Sequence, residues 1–134
     1  MILLDTNFLL YLAKYRIAHA IDNLGEKLLL PKQVLKEITD ISARSKGSLK
    51  QSAAIALALI EKWQQQGKLT IRTIEAKSAD ASLLKLAVLN KINKTENVAV
   101  ATLDKKLIKR LKKASIDIMK IRQKKLVEKN ESLA

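Results

Sequence analysis

The chain has no cysteine and one histidine, His19. Without cysteine, disulfide scaffolds and thiolate zinc sites are excluded, and a reducing cytoplasm is compatible. A single imidazole all but excludes a His-rich metal site or a Ser-His triad. Aromatic side chains are nearly as scarce. Phe8, Tyr11, Tyr15 and Trp63 are the whole set, so the stacking platform of a typical single-strand reader is missing. Long apolar runs are missing too. The longest, AAIALALI, gives way to Glu61 and Lys62, far short of the ~20 residues that span a bilayer. At the N-terminus, Asp5 stands where a secretion signal would carry its basic region. No membrane is expected as a partner.

What the chain has in excess is positive charge. Twenty-six Lys and Arg stand against 13 Asp and Glu, a net +13, and the pI is near 10.0. Solubility of a small domain does not require this much, so a polyanionic partner is the natural inference. A Lys-rich proteome would give the same composition without such a partner. With so few aromatics, contacts to nucleic acid would run mainly through phosphates. The 134 residues suit one domain with a single core.

Apolar patterning divides the chain. ILL (2–4) and KLLL (27–30) read as short buried strands, and residues 7–22 between them repeat apolar positions at helical spacing. Pro31 fits the first turn of a helix running through PKQVLKEITDISARS. Gly47-Ser48 is a break. Residues 49–66 are apolar on nearly all faces through their middle, which predicts a buried helix, with Gly67 placed for its C-terminus. LTIRTI (69–74) predicts a strand, about 79–92 a helix, NVAVAT (97–102) a strand, 104–114 an amphipathic helix and IDIMKI (116–121) a last strand. This alternation argues for a parallel sheet of about five strands with helices on both faces. Residues 1–122 form the expected domain, and 123–134 a basic, polar, frayed tail.

Three aspartates share a local pattern. Asp5 is followed by Phe8, Leu9 and Leu12, Asp80 by Leu83, Leu84 and Ala87, and Asp104 by Leu107, Ile108 and Leu111. These offsets put each acid in a helix's first turn, on its apolar face. Asp5 and Asp104 also follow strands directly, at the edge where open α/β sheets place ligand sites. Taken singly, each Asp reads better as an N-cap than as a catalyst. A fourth acid, Glu37, lies beside the apolar stripe of Val34, Leu35, Ile38 and Ile41. Carboxylates converging to ~5 Å would repel by about 3 kcal/mol per pair at an effective dielectric of 20. Divalent cations or raised pKa values would make that tolerable. With no Cys and one His, oxygen ligands imply Mg²⁺ or Mn²⁺, the chemistry of metal-assisted phosphodiester hydrolysis.

LLDTN, VLKEI, SADASLLKLA and VATLDKKL together resemble the four acidic motifs of PIN-domain ribonucleases, in order and over nearly the whole chain. That resemblance implies a doubly wound, three-layer α/β/α fold. It assigns Asp5, Glu37, Asp80 and Asp104 as catalytic, metal-binding acids, with Asn7 and Thr102 as polar supports. It also implies attack by water, leaving a 5′-phosphate and a 3′-hydroxyl. TLDKKLIKRLKKASIDIMKIRQKKL is similar to the ribosomal-RNA-processing branch, including its archaeal single-domain members. VapC-type toxins more often carry an acid and an aromatic where Lys105, Lys106 and Leu107 stand here. The family often pairs two acids where this chain has Asp80-Ala81, and places Asn or Cys where it has Leu103, which implies weaker metal affinity. Lys105, Lys106, Lys109, Arg110, Lys112 and Lys113 surround the apolar positions of the 104–114 helix and form the expected RNA surface. The reading is thus a cytoplasmic, Mg²⁺- or Mn²⁺-dependent endoribonuclease, compatible with a homodimer. The alternatives are a non-catalytic PIN-fold RNA-binding or assembly factor, or a toxin nuclease with an antitoxin partner.

Overall fold

Short strands with no polar interior position build the middle of the sheet. ILL, LLLP and AVA are buried throughout, as strands covered on both faces must be. The computed structural model describes residues 1–93, 97–122 and 125–129. In chain order its elements are β1 (Ile2–Leu4), α1 (Thr6–Lys14), α2 (His19–Asp22), β2 (Leu28–Pro31), α3 (Lys32–Arg44) and α4 (Gly47–Gln65). They continue with β3 (Leu69–Arg72), α5 (Ala79–Asn93), β4 (Ala99–Ala101), α6 (Lys105–Lys113), β5 (Asp117–Arg122) and β6 (Lys125–Lys129). The sheet order is β3-β2-β1-β4-β5-β6. The first five strands pair in parallel and β6 pairs antiparallel to β5.

The chain winds outward from β1 through β2 to β3, then returns to β4 on the other side of β1. Right-handed crossovers therefore put α1, α3 and α4 on one face and α5 and α6 on the other. The order reverses between β1 and β4, which makes the space above their carboxyl ends the switch point of the sheet. The core runs through both layers. Phe8, Leu9, Leu12, Ile38 and Ile60 fill one side, and Leu83, Leu107 and Leu111 the other.

Local chemistry explains the joints. Gln66 caps α4, and Gly67 adopts φ +70°, where a side chain would be strained. There Lys68 N–H donates to the Trp63 carbonyl over 2.9 Å and Gly67 N–H to Gln64 over 3.0 Å, a Schellman closure. Trp63 is fully buried, and its indole N–H donates to Asp22 Oδ1 over 2.9 Å. Lys68 Nζ meets the same oxygen at 3.3 Å, so one carboxylate ties α2 to both ends of this turn. Partial burial works against ionisation of Asp22, but the Trp63 and Lys68 hydrogen bonds hold its carboxyl below the usual range.

Four expectations change. Residues 7–22 are two helices, because Arg16 takes a left-handed conformation (φ 54°) after α1. Gly47 opens α4, and the break falls at Ser45 and Lys46. α4 is not a buried helix: Leu49 is 46 % exposed and Ile55 42 %, because only its α1- and α3-facing side is covered. The tail contributes β6, while residues 123, 124 and 130–134 lie outside those described.

Candidate active site

The carboxyl ends of β1 and β4 deliver the first two acids. Asp5 prolongs the β1–β4 pairing, its N–H donating to Ala101 over 3.0 Å, and then caps α1 in an extended conformation. Its Oδ1 accepts from Thr6 N–H at 2.7 Å, and its Oδ2 accepts from the Thr102 hydroxyl at 2.6 Å. Thr102, fully buried just after β4, also accepts at Oγ1 from Asp104 N–H over 3.1 Å. One hydroxyl therefore fixes both aspartates. Asp104 caps α6, its Oδ1 accepting from Lys106 N–H at 2.8 Å and Leu107 N–H at 3.1 Å.

The other acids come from the two outer faces. Asp80 lies in the first turn of α5, which Ser78 Oγ caps by accepting from Ala81 N–H over 3.1 Å. The Asp80 carboxyl lies close enough to those of Asp5 and Asp104 to be coupled to both. Glu37, exposed on α3, accepts from Thr6 Oγ1 over 3.1 Å.

Electrostatics join what the elements bring separately. Asp5 is only 4 % exposed, and burial raises its pKa; the Thr102 and Thr6 hydrogen bonds oppose this, while Glu37 and Asp104 add to it. Asp80 is pushed up to about 6, first by burial, then by the charges of Asp5 and Asp104, with Arg110 opposing. A helix cap accounts for one oxygen each of Asp5 and Asp104. It does not account for Asp80, nor for repulsion among acids from separate segments. Such repulsion makes this cluster the candidate functional site.

Among the described residues no three acidic side chains stand close enough to hold one ion as a set. The donors still suit a hard divalent cation in kind: they are carboxylates only, they repel one another, and two have raised pKa values.

The chain matches a family model described as a PIN like domain over residues 2–124. It belongs to the PIN-like domain family. The curated relative Ribonuclease VapC4 of Methanocaldococcus jannaschii is 36 % identical over 132 residues, covering 92 % of each chain. The three-layer α/β fold expected from the motifs is the one observed.

The supporting residues differ from expectation. Thr102 sits where it was expected. Asn7 does not face the acids: it is exposed, shares a groove with Tyr11 and Lys14, and has no hydrogen-bond partner among the described residues. Thr6 is the residue hydrogen-bonded to Glu37, and its placement follows the helix period. Thr6, Leu9, Leu10 and Ala13 are buried on one face of α1, whereas offsets of four and seven put Asn7 with Tyr11 and Lys14. On α6 only Leu107 and Leu111 are buried, so Lys105, Lys106, Lys109, Arg110, Lys112 and Lys113 are all exposed as expected. Arg110 adds something unforeseen, since its charge reaches Asp80.

Proposed function

We propose that this protein is a metal-dependent endoribonuclease. The observation that carries the reading is the electrostatic coupling of Asp5, Asp80 and Asp104 at the switch point, with Asp80 pushed up to about 6. Asp5, Asp80 and Asp104 would supply the carboxylates for the ion by closing up around it as it binds, with Glu37 at the rim. When bound, Mg²⁺ or Mn²⁺ supplies Lewis acidity at the phosphodiester. Asp80 would have to be deprotonated to bind a cation, which its pKa of about 6 allows near neutral pH. Thr102 holds Asp5 in one orientation and Thr6 does the same for Glu37. The α6 cations hold RNA phosphates on one side of the cleft.

The VapC relative supports a toxin-type nuclease with a protein antitoxin more than the ribosomal-RNA-processing role suggested by the C-terminal motif. A cytoplasmic homodimer is compatible with either role. Cleavage of a labelled RNA with Mn²⁺ should be lost in Asp5→Asn, with RNA binding retained. Equal cleavage by variant and wild type would remove the site; binding without cleavage by wild type would leave a PIN-fold RNA-binding protein.

A further inference from the structure

The two tyrosines of the chain meet on the outer side of α1. Tyr11 and Tyr15 stand one helical turn apart, with ring centroids separated by 4.4 Å and planes tilted by 42°. Half of the chain's four aromatic side chains thus form one surface. They wall a groove of about 330 Å³ between α1 and the start of α4, lined also by Asn7, Lys14, Ser48 and Leu49. That volume is at the small end of the ~300–1,000 Å³ range of ligand sites. Asn7 follows Thr6, whose hydroxyl reaches Glu37, so the groove begins beside the acid cleft. At 1.5 Å per residue, Tyr11 and Tyr15 lie about 9 and 15 Å along α1 from Asp5.

The rings are open to a ligand. Tyr15 is 36 % exposed and Tyr11 half-buried. The exposed Lys14 lays its Nζ over the Tyr15 ring, 5.4 Å from the centroid, so that face is reached from solvent. A cation over an exposed ring is held less firmly than a stacked base, and a base can therefore take its place. Leu49, exposed on α4, gives the groove an apolar second wall. No acid lines it, and Lys46 and Lys50 are exposed on either side of Ser48 and Leu49 in the chain.

We propose that this groove is a stacking subsite, in which an unpaired RNA base near the scissile phosphate lies on the Tyr15 ring. The proposal rests on the nuclease reading for its substrate. Lys14, displaced from the ring, holds an adjoining phosphate. The few aromatics still exclude the multi-base platform of a typical single-strand reader, but one pair serves one base. Cations and rings without acids, beside the acid cleft, fit a polyanion with planar groups better than an acidic peptide, which has no plane to stack. Every base has a π-face, so the subsite favours unpaired RNA over duplex without choosing among bases. An RNA strand crossing this edge would meet the α1 rings on one flank of the acids and the α6 cations on the other.

The test uses short single-stranded RNAs in which one nucleotide at a time is abasic. Their binding is measured without divalent metal and their cleavage with Mn²⁺. Wild type should lose about tenfold in affinity when one position is abasic, the worth of one base–aromatic stack, and should bind all four bases there alike. Tyr15→Leu should bind the intact RNA about tenfold more weakly and show no further loss at that position. Tyr15→Phe, which keeps the ring, should keep the abasic loss. No abasic loss in wild type, or an equal loss in Tyr15→Leu, would overturn the subsite while leaving the nuclease reading intact. Disappearance of the loss in Tyr15→Phe would transfer the effect to the hydroxyl and overturn the stack. Failure of wild type to cleave would sink the nuclease reading, and the binding profiles would still decide the subsite. A Tyr15→Leu protein with wild-type RNA profiles and a changed molecular mass in solution would assign the groove to a protein contact and overturn the proposal.

Discussion

Thr102 is the residue on which the site's geometry turns. Its hydroxyl donates to Asp5 and accepts from Asp104 N–H in a position with no solvent access. Thr102→Val keeps the shape and removes both bonds. We expect a loss of about 2 kcal/mol of stability, since a buried N–H and a buried carboxyl oxygen are left unpaired. Divalent-ion affinity should fall by about 10- to 100-fold, as when outer-shell partners of other metal sites are removed. Chemical denaturation and metal titration measure the two effects, and a variant matching wild type in both would show that Thr102 merely fills space. Asp5, Asp80 and Asp104 stand out in the sequence because helix period and strand ends are local patterns, whereas Thr102 was singled out by the family resemblance alone. The Thr6–Glu37 hydrogen bond was not foreseen, and the coupling of Asp80 to Asp104 could not be read at all. That coupling depends on how α5 and α6 pack across the sheet, which no local spacing encodes.

At the scale of the element, helix ends set the strain in this fold. Ser115 follows α6 at φ 57°, with Ile116 N–H donating to the Leu111 carbonyl over 2.9 Å and Ser115 N–H to Lys112 over 3.0 Å. This is the closure that Gly67 makes after α4, but with a side chain present. A left-handed residue with a Cβ costs roughly 1–2 kcal/mol, partly offset in Ser115→Gly by the freer unfolded chain. Ser115→Gly should therefore raise stability by about 0.5 kcal/mol, and Gly67→Ala should lower it by about 1 kcal/mol, both read from denaturant midpoints. Midpoints that do not move would mean the turns relax. The sequence marked Gly67 as a terminator but was silent on Ser115, because serine carries no signature for this backbone. The buried reading of α4 failed for a related reason. An all-round apolar helix shows what could be covered, and only the packing of α1 and α3 decides which face is.

For the whole molecule, charge placement makes two conditions matter, pH and salt. Asp5 and Asp80 have folded pKa values above their unfolded ones. Their contribution to stability is fully present below the unfolded value near 3.8 and is lost as pH rises through about 6 for Asp80. Without divalent ions the protein should become less stable between about pH 4 and 6.5, by on the order of 1 kcal/mol after solvent screening at the partly exposed Asp80. Asp22 acts in the opposite sense, since its lowered pKa removes stability only as pH falls below the usual carboxylate range. Asp80→Asn should flatten the upper slope and melt about 3 °C above wild type near neutral pH. Mn²⁺ should raise the wild-type melting temperature most above pH 6 and have less effect on the variant. Parallel pH profiles for the two proteins would show that Asp80 is not strained by its neighbours.

Salt tests the other half of the charge. From residue 101 onward, 11 Lys and Arg stand against four acids, and the α6 cations begin beside Asp104. Phosphate contacts release counterions, so binding should weaken linearly in log salt, with a slope of about 0.7 per contact on single strands. Lys106, Lys109 and Lys113 lie at offsets of three and seven on one exposed face. Arg110 is spared because its charge also lowers the Asp80 pKa, and changing it would alter the site together with the surface. Replacing the three lysines with Gln should reduce the slope by about 2 and weaken binding to all sequences alike, since phosphate contacts position the RNA without reading it. A wild-type slope in the triple variant would mean that the RNA follows another surface and that the cations of α6 are solvated charge.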